Sequence, residues 1–261
     1  MISKRKILFF DIDDTIFSHK THSIPESTKK SIRKAKENGH LVFINTGRTK
    51  SVIGSDIKEL NFDGYICGCG TYIEINNEVL YYNELPRENY ENILLALKKY
   101  NLNGILEGKD AIYIDESKEQ DQLILKLKRE NYPVKPYDMG NMIFDKLFIT
   151  YNDDKNIAAF SEELKYIFDY IDHGRGRREF VPSGHSKASG INFILDYFKV
   201  NREDTFAFGD SNNDIPMLDN VANSIVMGNG NPDLFDKVTF VTKHIDEDGI
   251  EYAMKYFNII D

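Results

Sequence analysis

Ile7-Leu8-Phe9-Phe10-Asp11-Ile12-Asp13-Asp14-Thr15 is an apolar run of four that stops on three carboxylates within four residues. Uninterrupted apolar residues suit a strand buried on both faces of a parallel sheet. In such sheets, ligands sit beyond the carboxyl ends of the strands. Crowded carboxylates repel one another unless a cation neutralises them. Mg²⁺ suits that place, because it prefers oxygen ligands and is commonly shared between carboxylates and a substrate phosphate. One carboxylate, Asp11, is then a candidate nucleophile able to form an aspartyl-phosphate. A second, Asp13, is a candidate general acid for the leaving oxygen. The same residue types also make ordinary acidic turns and helix caps, so this segment alone does not define a site.

Working outward, strand and helix signals alternate. Pro25 opens a helical stretch to Asn38 with Gly39 as its stop, and Leu41–Ile44 reads as a second buried strand. Thr49–Leu60 reads as a helix and Tyr65–Cys67 as a strand. Thr71–Ile75 and Val79–Tyr82 form a hairpin about Asn76-Asn77. From about Asn83 to Pro182 the texture changes. Helical patterns at Arg87–Tyr100, Lys118–Asn131 and Asp154–Phe168 are interspersed with strands at Gly104–Glu107, Ala111–Ile114, Lys146–Thr150 and Arg178–Val181, and Tyr132–Asn141 reads as a loop. After Pro182 the βα rhythm returns. The fold class is therefore α/β: a doubly wound parallel-sheet core over residues 1–82 and 183–261, interrupted by an α+β block over 83–182.

Composition narrows the function. The 261 residues are 41% hydrophobic, with 17 Phe and 15 Tyr, enough to fill a core without Trp. The formal net charge of -9 lacks the basic stripe of a duplex-binding protein, and Arg175, Arg177 and Arg178 make too short a run to supply one. No nucleic-acid partner is expected. No apolar run approaches the roughly 20 residues that span a bilayer. The basic start, Met1–Lys6, leads into an apolar run too short for a signal peptide. The expectation is a cytoplasmic protein without a membrane partner, monomeric or weakly homo-oligomeric. Cys67 and Cys69 could hold a metal or form a strained disulfide, but no further thiol or His adjoins them. Two reduced residues at a strand end is the plainer reading.

Three further motifs sit at strand ends or helix starts. Thr46-Gly47-Arg48 offers a hydroxyl and backbone donors to a phosphate, and equally an ordinary N-cap. Lys187 falls in the first turn of a helix, where it opposes the helix dipole unless it neutralises an anion; many such lysines are simply solvated. Gly209-Asp210-Ser211-Asn212-Asn213-Asp214 is a second acidic turn after an apolar strand, with Asp210 and Asp214 placed to reach one ion from another direction. All four motifs in this order, on one edge of the sheet, are hard to ascribe to chance.

Together they resemble the four signature motifs of the haloacid dehalogenase superfamily, specifically its Cof-type phosphatases, which carry a large α/β cap between the second and third motifs. Asp11-x-Asp13-x-Thr15, Thr46-Gly47-Arg48, Lys187, and Gly209-Asp210-x-x-Asn213-Asp214-x-x-Met217 carry the resemblance, which spans nearly the whole chain. It implies a Mg²⁺-dependent phosphatase for small phosphorylated metabolites such as sugar phosphates. Asp11 is implied as nucleophile, Asp13 as acid and base, and Thr46, Gly47, Lys187 and Asn213 as phosphate ligands. Asp11, the Asp13 backbone carbonyl, Asp210 and Asp214 are implied at the metal. Phosphomutase or phosphotransferase activity on the same fold is the alternative; a non-catalytic sensor would be expected to lose the nucleophile or the acid. One departure stands out, Cys69-Gly70-Thr71 where the family often has Asn-Gly; Asp14, where Gly is common, reads as a harmless change. Specificity candidates are His173, Arg175, Arg177, Arg178 and His185, a basic cluster leading into the third motif; a solvated basic loop is an equally good reading of the arginines.

Overall fold

The computed structural model describes residues 5–118 and 120–261. Most of the basic start, Met1–Lys4, and Glu119 inside the expected helix Lys118–Asn131 lie outside the described residues. The first elements are β1 (Ile7–Phe10), α1 (Glu26–Glu37), β2 (Leu41–Asn45), α2 (Ser55–Lys58), β3 (Gly64–Cys67), β4 (Tyr72–Ile75) and β5 (Glu78–Tyr82). The middle block adds α3 (Arg87–Lys99), β6 (Asn103–Glu107), β7 (Ile112–Ile114), α4 (Gln122–Arg129), β8 (Val134–Pro136), β9 (Lys146–Thr150), α5 (Asp154–Glu163), β10 (Phe168–Gly174) and β11 (Arg177–Pro182). Then follow α6 (Lys187–Phe198), β12 (Thr205–Gly209), α7 (Ile215–Leu218), β13 (Asn223–Val226), β14 (Phe240–Val241) and α8 (Gly249–Tyr256).

Eight strands form one sheet in the order β14-β13-β12-β1-β2-β3-β4-β5. β1 pairs in parallel with β2 on one side and with β12 on the other, so the strand order reverses there. That reversal is the switch point of a doubly wound sheet, where ligands bind. All four side chains of β1 are fully buried, as a strand covered on both faces requires, and Phe10 stacks on Phe208 of β12 at 4.6 Å. Around the sheet, α1 buries Thr28, Ser31, Ile32 and Ala35, one face at helical spacing. Between β4 and β5, Asn76 and Asn77 both take positive φ, as a two-residue hairpin turn demands.

The chain divides into two compact units. One holds the chain up to Gly47 with Gly54–Leu80 and Ser186–Asp261; the other holds Arg48–Ile53 and Tyr81–His185. The second unit has its own six-stranded sheet, β10-β11-β9-β6-β7-β8. Its main core joins Tyr90, Ile93 and Leu97 of α3 and Ile157 and Phe160 of α5 to Leu106, Leu147, Ile149 and Phe180 of the sheet. Residues 48–53, 81–82 and 183–185, assigned from sequence to the first unit, fall in the second.

Several elements depart from expectation. The helix expected at Thr49–Leu60 is broken: Lys50–Val52 is a 3₁₀ turn, Ile53 and Gly54 are extended, and only Ser55–Lys58 is α-helical. Val52 is buried among Ile105, Ile112, Ile114 and Ile124 of the second unit, and that burial overrides helical propensity. The helix expected to reach Phe168 stops at Glu163, and Phe168 opens β10. Phe160, Leu164 and Phe168 are spaced like a helix stripe and share one core, which explains the misreading. The expected loop at 132–141 contains β8, tolerated despite Pro136 because it is an edge strand. Cys67 and Cys69 are buried thiols that form no disulfide. Cys69 has φ +56°, the left-handed region that favours Asn, the residue common there in the resembled family.

α6 lies close to β3 through a glycine: a Cβ on Gly190 would stand 2.3 Å from Ile66 Cγ2. Gly190→Ala should therefore push away the helix that carries Lys187. The expected loss is about 1–3 kcal/mol, read by urea denaturation, together with reduced phosphate release. An unchanged denaturation midpoint would contradict this packing.

Candidate active site

The β1–β12 pairing continues one rung past the strand, since the Asp11 amide donates to the Phe208 carbonyl at 3.0 Å. This bond fixes the backbone of Asp11 at the switch point. Across from it, Asp214 Oδ2 accepts from the amides of Asp210 (2.9 Å) and Ser211 (3.1 Å), closing the acidic turn on itself. Only glycine fits beneath that turn, because a Cβ on Gly209 would lie 2.7 Å from Asp214 Cγ. Ser186 caps α6 through the Ser189 amide, while Ser189 Oγ accepts from the Ser186 amide. This reciprocal cap sets the first turn from which Lys187 projects.

Lys187 is fully buried and donates to Asp11 Oδ1 at 2.6 Å and to Asp214 Oδ1 at 2.5 Å. Asp11, Asp210 and Asp214 each offer an oxygen within 4.8 Å of the others. With one ammonium against three carboxylates, two negative charges stay uncompensated when all are ionised. The electrostatics follow. Burial, with Asp214 and Asp13 nearby, raises the Asp11 carboxyl to about 7 even against the pull of Lys187. Burial, with Asp11 and Asp214, raises Asp210 to about 8. Burial alone would lower the Lys187 ammonium, but Asp11 and Asp214 raise it further, so it stays charged. An all-oxygen set with this surplus charge fits a hard divalent cation.

Beyond Asp11 the chain makes a tight turn in which the Ile12 carbonyl accepts from the amides of Ile16 (3.0 Å) and Phe17 (2.9 Å). Asp13 is half-buried there. Asp14, at φ +54°, is held through its carbonyl by Asn229 Nδ2 at 2.7 Å. Asn229 in turn accepts from the Ile245 amide at 2.8 Å. On the other side of β1, Phe10 is in register with Ile44, which puts Thr46 and Gly47 just past the adjacent strand end. Thr46 is buried, its amide donating to Ile66 and its carbonyl accepting from Cys69. Asn213 is half-buried and accepts from Ser211 Oγ at 2.8 Å.

The five basic specificity candidates, expected as one cluster, are not gathered into one. Alternation along β11 separates Arg178, in line with the core residue Phe180, from Arg177 and Glu179. Arg178 pairs with Asp172 at 2.9 Å and lies over the Tyr170 ring at 4.4 Å. His173 bonds Glu179 at 2.8 Å, and Glu179 bonds the buried Lys146 at 2.6 Å. Burial would raise the Glu179 carboxyl, but Lys146 and His173 hold it down at about 2. Arg175 sits at φ +52° in the β10–β11 turn, and His185 bonds Tyr81 at 2.8 Å. Sequence reasoning missed Asn229, Asn45, whose Nδ2 donates to the Lys187 carbonyl at 2.9 Å, and His19, described below. None lies in a strand-end acidic motif, so only their contacts reveal them.

The profile of the haloacid dehalogenase-like hydrolases matches residues 8–254. The chain belongs to this family. Among relatives of these haloacid dehalogenase-like hydrolases, YkrA of Bacillus subtilis is 33% identical over 260 residues, covering 98% of both chains. The 5-amino-6-(5-phospho-D-ribitylamino)uracil phosphatase YitU of the same organism is 26% identical over 99% of this chain and 100% of its own. Among solved structures, the subclass IIB sugar phosphatase BT4131 matches with a TM-score of 0.84 and 29% identity over 98% of this chain and 100% of its own. The Cof-type resemblance read from the motifs holds. Among the described residues, no helix is long and apolar enough to cross a membrane.

The raised carboxyls carry a pH signature. Between about pH 4, where an unfolded Asp ionises, and the folded values of about 7 and 8, the folded state holds protons that the unfolded chain has released. Stability contributed by these groups therefore falls as pH rises through that window. In EDTA, Tm should drop between pH 5 and pH 8. Mg²⁺ should raise it more at pH 8 than at pH 5, and Asp210→Asn should flatten the slope. Thermal melts with the same slope in wild type and Asp210→Asn would contradict the assignment.

Proposed function

We propose that this phosphoric monoester hydrolase cleaves small phosphorylated metabolites, sugar phosphates or similar monoesters, through an aspartyl-phosphate on Asp11, with Mg²⁺ as its metal. The observation that carries the reading is the buried Lys187 ammonium, set between Asp11 and Asp214 beside a carboxylate group that lacks neutralising charge. The subclass IIB sugar phosphatase among the structural relatives and the phosphatase YitU among the sequence relatives support the substrate class.

In this reading the Asp11 carboxylate attacks phosphorus and the bond to the leaving oxygen breaks, with Asp13 donating the proton that oxygen needs. Asp13, now a carboxylate, takes a proton from water as that water attacks the phosphoryl group. The bond to Asp11 then breaks and inorganic phosphate leaves. Lys187 offsets charge on the phosphoryl oxygens and keeps Asp11 oriented. Thr46, Gly47 and Asn213 donate further hydrogen bonds to the phosphate. Mg²⁺, held by Asp11, the Asp13 carbonyl and Asp210 with Asp214 in support, would supply the remaining neutralisation of phosphate and carboxylate. The compact unit holding Tyr81–His185 is read as the cap that carries substrate selectivity.

Phosphate release from a panel of phosphorylated metabolites, with Mg²⁺ and with EDTA, tests the reading. Turnover should require Mg²⁺ and yield free phosphate rather than a transferred phosphoryl group. Asp11→Asn should fall on the order of 10³-fold or more with an unchanged circular dichroism spectrum. Full activity in that variant removes the covalent mechanism.

A further inference from the structure

His19 stands between two carboxylates of the catalytic turn. Its Nε2 lies 3.2 Å from Asp13 Oδ1 and its Nδ1 lies 3.1 Å from Asp14 Oδ2. The His19 amide also donates to Asp14 Oδ1 at 3.1 Å, so main chain and ring grip the same residue. Asp14 is a firm anchor, with its amide bonded to Phe17 and its carbonyl to Asn229. The Asp13 side chain is 38% exposed, so packing alone does not fix its rotamer. A ring bonded on one side to this anchor and standing 3.2 Å from the Asp13 carboxylate on the other limits where that carboxylate can turn.

We propose that His19 is a positioning residue that aims the Asp13 carboxyl at the leaving oxygen, with Asp14 as its anchor. The inference rests on the reading of Asp13 as the acid. With Nδ1–H donating to Asp14, Nε2 is left as the acceptor that faces a protonated Asp13, the form a general acid must have. It also accounts for an aspartate at position 14, where the resembled family commonly has Gly. A non-glycine residue at φ +54° is strained there, and its carboxylate is what holds the imidazole.

The consequence is selective. Misaiming an acid harms substrates whose leaving oxygen needs a proton and spares those whose leaving group departs as a stable phenolate. The measurement is kcat/KM, which reports the first phosphoryl transfer, for p-nitrophenyl phosphate and for the alkyl monoester of the panel that turns over fastest. His19→Ala should lower the alkyl value by about 10–100-fold, the scale of a misplacement near 1 Å, and the aryl value by less than about 3-fold. Asp14→Gly should shift the ratio in the same direction, and His19→Gln, which keeps a side-chain acceptor toward Asp13, should recover part of the alkyl rate. Equal losses on both substrates would mean a structural role only and overturn the proposal. So would an Asp13 carboxylate unmoved in a crystal structure of His19→Ala. Asp13→Asn separates the two levels. If it shows the leaving-group bias and His19→Ala does not, this inference alone fails. If neither shows it, or the wild type has no Mg²⁺-dependent turnover, the acid assignment fails with it.

Discussion

One buried ammonium organises the first compact unit. Lys187 is drawn out of water at the start of α6, and burial of a lone charge is prohibitive unless opposite charges meet it. Its partners come from elsewhere in the chain: Asp11 is 176 residues away and Asp214 is 27. The end of β1, the turn after β12 and the first turn of α6 must therefore converge. The local devices at each point serve that convergence. They are the extra ladder bond at Asp11, the Asp214 turn closed over Gly209, and the reciprocal Ser186–Ser189 cap.

A comparison within the molecule shows why this cluster reads as a site and not as a structural ion pair. Glu179 is as thoroughly buried as Asp11, yet its carboxyl is held at about 2, whereas Asp11 is pushed up to about 7. The difference is the local charge balance. Each carboxylate shares its lysine, Glu179 with Glu107 and Asp11 with Asp214, but Glu179 also bonds His173, whereas Asp11 has Asp13 and Asp210 close by. A carboxylate whose close neighbours mostly stabilise it is complete. An unbalanced one is costly until further positive charge arrives, and such imbalance marks functional sites.

Much of this was legible in the residue order. The run Ile7–Phe10, with the acidic residues that follow, marks a strand end in a parallel sheet, and the four motifs name their family. β1 and β9 match the expected bounds, because continuous apolar runs flanked by polar residues leave little choice of boundary. Less was legible where local and distant demands conflict. The broken Thr49–Leu60 helix and the strand hidden behind the Phe160–Leu164–Phe168 spacing both follow from burial against residues far along the chain.

Sequence alone determined the family, the doubly wound core and the strand-end motifs, since these depend on local periodicity and on residue types that chemistry constrains tightly. Only the tertiary structure decided which charges meet: Lys187 with Asp11 and Asp214, His19 with Asp13 and Asp14, and Arg178 with Asp172 rather than with its basic neighbours. Hydrogen bonds require atoms within about 3.5 Å, and ion pairs gain most of their energy at similar contact distances. Partnership therefore depends on where the folded backbone delivers each side chain, which spacing in the sequence does not specify.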